Sequence, residues 1–284
     1  MAQIAILTDS TAYITKELCQ RYSINVIPLT ISWEGQTYQD GIDLTAREFY
    51  PRLDHSVSLP TTSQPAMQGF LDQFEELAAH SGGIVAPLVS SGISGTVETA
   101  RSAAIEFTKI PVQIIDTHAT AGGLALIVLA TARAAEAGCS LAETAQVAQA
   151  VANKLSTFFM VDTLKYLHKG GRIGGATRFL GSALSIKPIL FLNQDGKIDA
   201  LERVRAKQKA LVRLAELVEE KAGDRPAYVS IYHANAAEEA GEFLSQLAQR
   251  MNCVEKLLLE LSPVIGAHVG SGTIGVSVYT DAGL

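Results

Sequence analysis

Cysteine is scarce. Cys19, Cys139 and Cys253 are the only three among 284 residues, and their odd number, wide separation and lack of any C-x-x-C argue against a disulfide framework and a cysteine-based zinc site. A reducing compartment is the expectation. Basic residues are outnumbered, 23 Lys and Arg against 29 Asp and Glu, so no overall positive field attracts nucleic acid or an anionic membrane. Neither nucleic-acid binding nor stable membrane insertion is expected. The first basic residue is Lys16, so "MAQIAILTDS" lacks the basic start of a secretory signal and reads as an opening strand. The most apolar stretch, Ala119 to Ala132, is too short to span a bilayer and runs into Arg133. It reads as a buried helix of a cytoplasmic protein.

Several chemical motifs are missing as well. Without H-E-x-x-H, a paired-histidine spacing or an acidic loop of EF-hand type, no metal is expected, and without G-x-x-x-x-G-K-[ST] a P-loop is excluded. A serine elbow, G-x-S-x-G, would need glycine at Thr96, and no S-x-x-K begins at Ser90, Ser91 or Ser94. Gly270, Gly272 and Gly275 do satisfy G-x-G-x-x-G, but "TIGVSVYT" follows with strand-like alternation where a dinucleotide site needs a helix. No cofactor is implied.

What remains is an ordinary apolar content, 48% hydrophobic with 18% charged residues, arranged as short apolar runs alternating with amphipathic stretches. That alternation predicts an α/β fold. Strands are expected in "IAILTDS", "NVIPLTIS", "GGIVAPLVSS", "VQIIDTH", "FFMVDTL", "IKPILFLN", "AYVSIYHA", "VEKLLLEL" and "TIGVSVYT". Helices are expected over 14–22, 67–80, 95–107, 121–137, 141–155, 206–221 and 236–251. The near-continuous apolar strands of the first half suit a parallel sheet with helices on both faces, whereas "DGKIDALERV" looks like a turn and return strand. We therefore expect two α/β domains, 1–155 with a parallel sheet and 156–284 with a mixed or largely antiparallel one, and a ligand site between them.

Polar clusters fall at expected strand ends. Asp9 to Thr11 and Asp116 to His118 are adequately explained as helix caps. "VSSGISGTVETA" holds Ser90, Ser91, Ser94, Thr96 and Thr99, more hydroxyls than capping uses, and suggests an anion or carboxyl group held by hydroxyls and helix amides. "SLPTTSQPA" sets Thr61 to Gln64 between Pro60 and Pro65 in what reads as a stiff irregular loop, either a presenting loop or a polar linker. Lys165, His168, Lys169, Arg172 and Arg178 form a basic cluster among glycines that is either a solvated turn or a phosphate contact, and Arg203, Arg205, Lys207 and Lys209 add to it. His268 stands alone among glycines, structural or functional with equal weight.

Taken in order, "LTDSTAYI", "NVIPLTISWEGQTYQDG", "LPTTSQPA", "LVSSGISGT", "VQIIDT", "KGGRIGG", "IKPILFLNQDGKI" and "GAHVGSGTIG" resemble the DegV family along essentially the whole chain. The resemblance implies a protein of two α/β domains that binds a long-chain fatty acid and presents its carboxyl group to a separate fatty acid kinase. It implies that Thr62, Ser63, Ser94 and His268 hold the carboxyl group. Arg172, in the G-G-R-I-G turn, and Arg205 are implied in the kinase-dependent step, with Arg203 close enough to leave that register open. Ser271 departs from the family's proline in H-x-G-P-G, and Ala206 from a common threonine. Acyl burial at about 0.8 kcal/mol per methylene would contribute on the order of 10 kcal/mol, against roughly 0.5–1.5 for each neutral hydrogen bond. A tunnel would then dominate affinity and the polar residues orientation. The alternatives are an acyl or phosphoryl transferase acting on its own through Arg172, Arg205 and His268, or a regulatory module without a ligand.

Overall fold

The computed structural model describes residues 3–181 and 186–280. The first part of the chain runs β1 (Ile4–Asp9), α1 (Lys16–Tyr22), β2 (Ile24–Ile27), β3 (Thr30–Trp33), β4 (Gln36–Gln39), α2 (Ala46–His55), β5 (Thr61–Ser63), α3 (Met67–Ala78), β6 (Gly83–Leu88), α4 (Thr96–Glu106), β7 (Val112–Asp116), α5 (Ala121–Glu136) and α6 (Leu141–Lys154). There follow β8 (Ser156–Met160), α7 (Lys165–Lys169), β9 (Lys187–Leu192), β10 (Ile198–Val204), α8 (Lys207–Ala222), β11 (Ala227–His233), α9 (Ala237–Arg250), β12 (Cys253–Glu260), α10 (Pro263–Val269) and β13 (Ile274–Thr280).

Three sheets result. The first is parallel with order β2-β1-β6-β7, and its central strand β6 is buried at every residue, as a strand covered on both faces must be. The second has order β10-β9-β8-β13-β11-β12 and is antiparallel except for β11 against β12. The expected return strand of "DGKIDALERV" is β10, paired antiparallel to β9. The third, β4-β3-β5, is small and antiparallel.

Two expectations are corrected here. "NVIPLTIS" is two strands, because Pro28 has no N–H to give a ladder and the chain leaves the first sheet there for the third. "PTTSQ" is not an irregular loop: Thr61 to Ser63 pair with β3, with Thr62 opposite Ile31.

Helix α5 is apolar on every side and has eleven buried residues, which places it in the interior between the first two sheets, packed on β1 and on β11 and β13. Gly122 and Gly123 allow that approach, since a Cβ on Gly122 would lie 2.2 Å from Ser230 Oγ. Elsewhere capping is conventional: Thr45 with Glu48 opens α2 and Ser140 with Glu143 opens α6 as reciprocal boxes. Among the described residues no helix is long and apolar enough to cross a membrane.

Candidate ligand site

A pocket opens between the first two sheets, closed on one side by β5 and α10. Its empty space is about 800 Å³, counting the part open to solvent. Leu29, Phe159, Leu192, Leu261, Val264 and Val269 form much of its wall, while Thr62, Ser63, Ser94, Arg172 and His268 also line it. A largely apolar cleft with a few convergent polar groups is the usual form of a small-molecule site.

The polar residues touch in sequence. His268 lies in the last turn of α10, and its Nε2 is 2.8 Å from Thr62 Oγ1 on β5. Its Nδ1 is buried without a partner among the described residues and rests against Gly170. An orphaned acceptor is tolerated better than an orphaned donor, which assigns the proton to Nε2. His268 then donates to Thr62, and the Thr62 proton is free for an oxygen in the pocket. Burial, with the Arg172 guanidinium as a lesser cause, pushes the His268 pKa down to about 4. The imidazole is therefore neutral at ordinary pH. Two-dimensional NMR should find its titration midpoint near pH 4; Arg172→Gln should raise that midpoint but leave it below 6.5, because burial is the larger cause. An unchanged midpoint would remove Arg172 from the account.

Arg172 donates from Nη1 to the Gly170 carbonyl at 2.8 Å and from Nε to the Ile93 carbonyl at 3.2 Å. It thereby joins the α7 turn to the loop carrying Ser94, whose hydroxyl is 2.8 Å from Thr96 Oγ1. The family resemblance separated Arg172 from the carboxyl-holding residues; in the structure it lines the same pocket and acts on His268. Arg205 is elsewhere, exposed and without an ion pair or hydrogen bond among the described residues. Arg203 instead donates to the Arg178 carbonyl at 2.9 Å and covers the Phe179 ring.

Most other polar residues singled out by sequence are structural. Asp9 accepts from Thr11 and from the Val89 amide, and Asp116 from the Ser91 and His118 amides. Ser90 donates to the Gly196 carbonyl, fixing the tip of the β9-β10 hairpin. Ser271 donates to Asp54 on α2 at 2.8 Å, while Ala206 leaves the start of α8 without a side-chain cap. Asp40 was overlooked. It is 2% exposed and accepts from Ser10, from Ser262 and from the Val264 amide, holding the start of the helix that carries His268. Its only sequence signal is an aspartate before Gly41 at a strand end, which reads as turn chemistry. Among the described residues no group of three or more His, Cys, Asp or Glu is placed to hold a metal ion.

A parallel and a mixed sheet enclosing an apolar pocket with a hydrogen-bonding rim define the class, an α/β small-molecule-site protein. The chain belongs to the DegV family: the family model described as an uncharacterised protein of the DegV family matches residues 3–281. A DegV domain-containing protein of Streptomyces coelicolor is 37% identical over 277 residues, 97% of this chain and 98% of that one. Among solved structures, a DegV family protein from Thermus thermophilus described by its fatty acid binding has a TM-score of 0.93 at 31% identity, covering 98% of this chain and 99% of that one. DegV from Bacillus subtilis, described as a fatty acid binding protein, has a TM-score of 0.91 at 32% identity, covering 99% and 100%.

Proposed function

We propose that this chain binds a long-chain fatty acid in the pocket, acyl chain against the aliphatic walls and carboxyl group at Thr62, Ser63, Ser94 and His268, and presents that group to a separate fatty acid kinase in the cytoplasm. Residues 1–155 and 156–284 act as two domains flanking the ligand. The observation that carries the reading is the neutral His268 bound to Thr62 at the rim of an apolar pocket, in a chain like proteins described as fatty-acid binding. A carboxyl group leaving water needs donors there, and hydroxyls serve the ionised and the neutral acid alike. Arg172, at the pocket wall, and the exposed Arg205 are assigned to the kinase-facing side.

A transferase acting alone is less well supported. A catalytic histidine is oriented by a partner on its second nitrogen, and His268 Nδ1 has none among the described residues. Native mass spectrometry of freshly purified protein tests the two readings. A retained species of fatty-acid mass is expected; lipid-free protein that turns over acyl phosphate with no kinase present would overturn the proposal.

A further inference from the structure

Thr120 Oγ1 is shut away from solvent without a hydrogen-bond partner among the described residues, yet Thr120 lines the pocket. It stands at the N-cap position of α5 but makes no capping bond to that helix. On the second sheet, Thr157 Oγ1 and Ser277 Oγ are 2.9 Å apart and buried. Thr157 and the nearly buried Tyr232 line the same pocket. The glycines of α5 bring these surfaces together: a Cβ on Gly123 would lie 3.1 Å from both Thr157 Oγ1 and Ser277 Oγ, and one on Gly122 would lie 2.8 Å from the Tyr232 ring. The first turn of α5 is thus packed onto a second hydroxyl cluster, with Thr120 in the same pocket wall, and none of these hydroxyls bonds to Thr62, Ser94, Arg172 or His268.

A wall that meets only methylene groups has no use for such hydroxyls, and an unpaired one is costly to bury. Valine would fill Thr120's place with the same shape. We propose that Thr120, Thr157 and Tyr232 form a second polar subsite that selects acyl chains carrying a hydroxyl or keto oxygen along their length over plain ones. The proposal rests on the fatty-acid reading of the pocket. An alcohol oxygen would accept from Thr120 and donate to Thr157, whose oxygen has capacity beyond its bond to Ser277; a keto oxygen would accept only. The phenol of Tyr232, kept neutral by burial although it also interacts with Ser277, is a further polar group of the subsite.

The test is competition. The protein is incubated with equal amounts of stearic acid and each of a set of monohydroxystearic acids differing in hydroxyl position, and the retained ratio is read by native mass spectrometry. At least one isomer should be favoured about fivefold, close to 1 kcal/mol, and Thr120→Val or Thr157→Val should bring that ratio to parity. Failure of every isomer to exceed stearic acid, or a preference that survives both substitutions, overturns the subsite while leaving fatty-acid binding in place. Retention of neither kind of acid overturns the fatty-acid reading itself, and the subsite with it.

Discussion

Gly170→Ala is expected to abolish this protein's preference for a free fatty acid over its methyl ester while leaving the chain folded. The backbone there permits alanine, with φ at −78°. Space does not. A Cβ at this position would lie 2.3 Å from His268 Nδ1, whereas ordinary contact begins near 3.4 Å, so the ring must retreat by roughly 1 Å. Its other nitrogen is bound to Thr62 at 2.8 Å, and that bond cannot survive such a shift. Loss of the one hydroxyl donor that His268 aims at a carboxylate, Thr62, is worth about 1.5–3 kcal/mol, roughly 10- to 100-fold in relative affinity. The measurement is competitive binding of acid against methyl ester, with a thermal melt beside it. Thr62→Val should give a similar loss, and the double substitution little more, because both break one relay. Full acid preference in Gly170→Ala would show that His268 does not position the carboxyl group.

The strands were legible where burial leaves a local mark. β6 and β11 are short apolar runs because both faces are covered, and α5 stands out as an apolar helix for the same reason. Elements whose cause is distant left no such mark. β5 is three residues long and exists through its pairing with β3, while α10 has seven residues and a glycine at 266. No helix is expected from the local pattern around "GAHVGSGTIG", yet His268 is carried on one. α2 did carry a local signal in Thr45 and Glu48, but Pro51 within it obscures the pattern. The site divides likewise. Spacing alone left His268 undecided, and its link to Thr62 spans 206 positions; the family resemblance, not periodicity, put the two residues in one group. The family resemblance did not put Arg172 beside His268, and only the transferase alternative grouped them; the approach itself depends on how the α7 turn packs against α10. Asp40 was missed because its bond to Ser262 joins positions 222 apart.

Asp40 and His268 should also impose opposite pH dependences on stability, which single substitutions will expose. Among the described residues Asp40 has no cation to offset its burial, and Asp9 nearby adds repulsion, so despite three hydrogen bonds its pKa rises from 3.8 to about 6. Tyr13 and Tyr50, which also face it, stay neutral because burial pushes both phenols up. Between these values the folded chain holds a proton at Asp40 that the unfolded chain has lost. The stabilisation is complete below pH 3.8 and disappears as pH rises through about 6. His268 is depressed from 6.5 to about 4, so its contribution is present above pH 6.5 and is lost as pH falls through about 4. At 1.36 kcal/mol per pH unit each amounts to about 3 kcal/mol, and from about pH 4 to 6 they largely cancel. Asp40→Asn keeps a carbonyl oxygen for the Val264 amide and Ser262 but cannot titrate. Relative to wild type it should gain about 2 kcal/mol as pH rises across that window, while His268→Gln should lose a similar amount. Urea unfolding at about pH 4.5, 5.5 and 6.5 would measure both. An Asp40→Asn curve running parallel to wild type would mean that the carboxyl group titrates normally, and that α10 is held by something other than a buried acid.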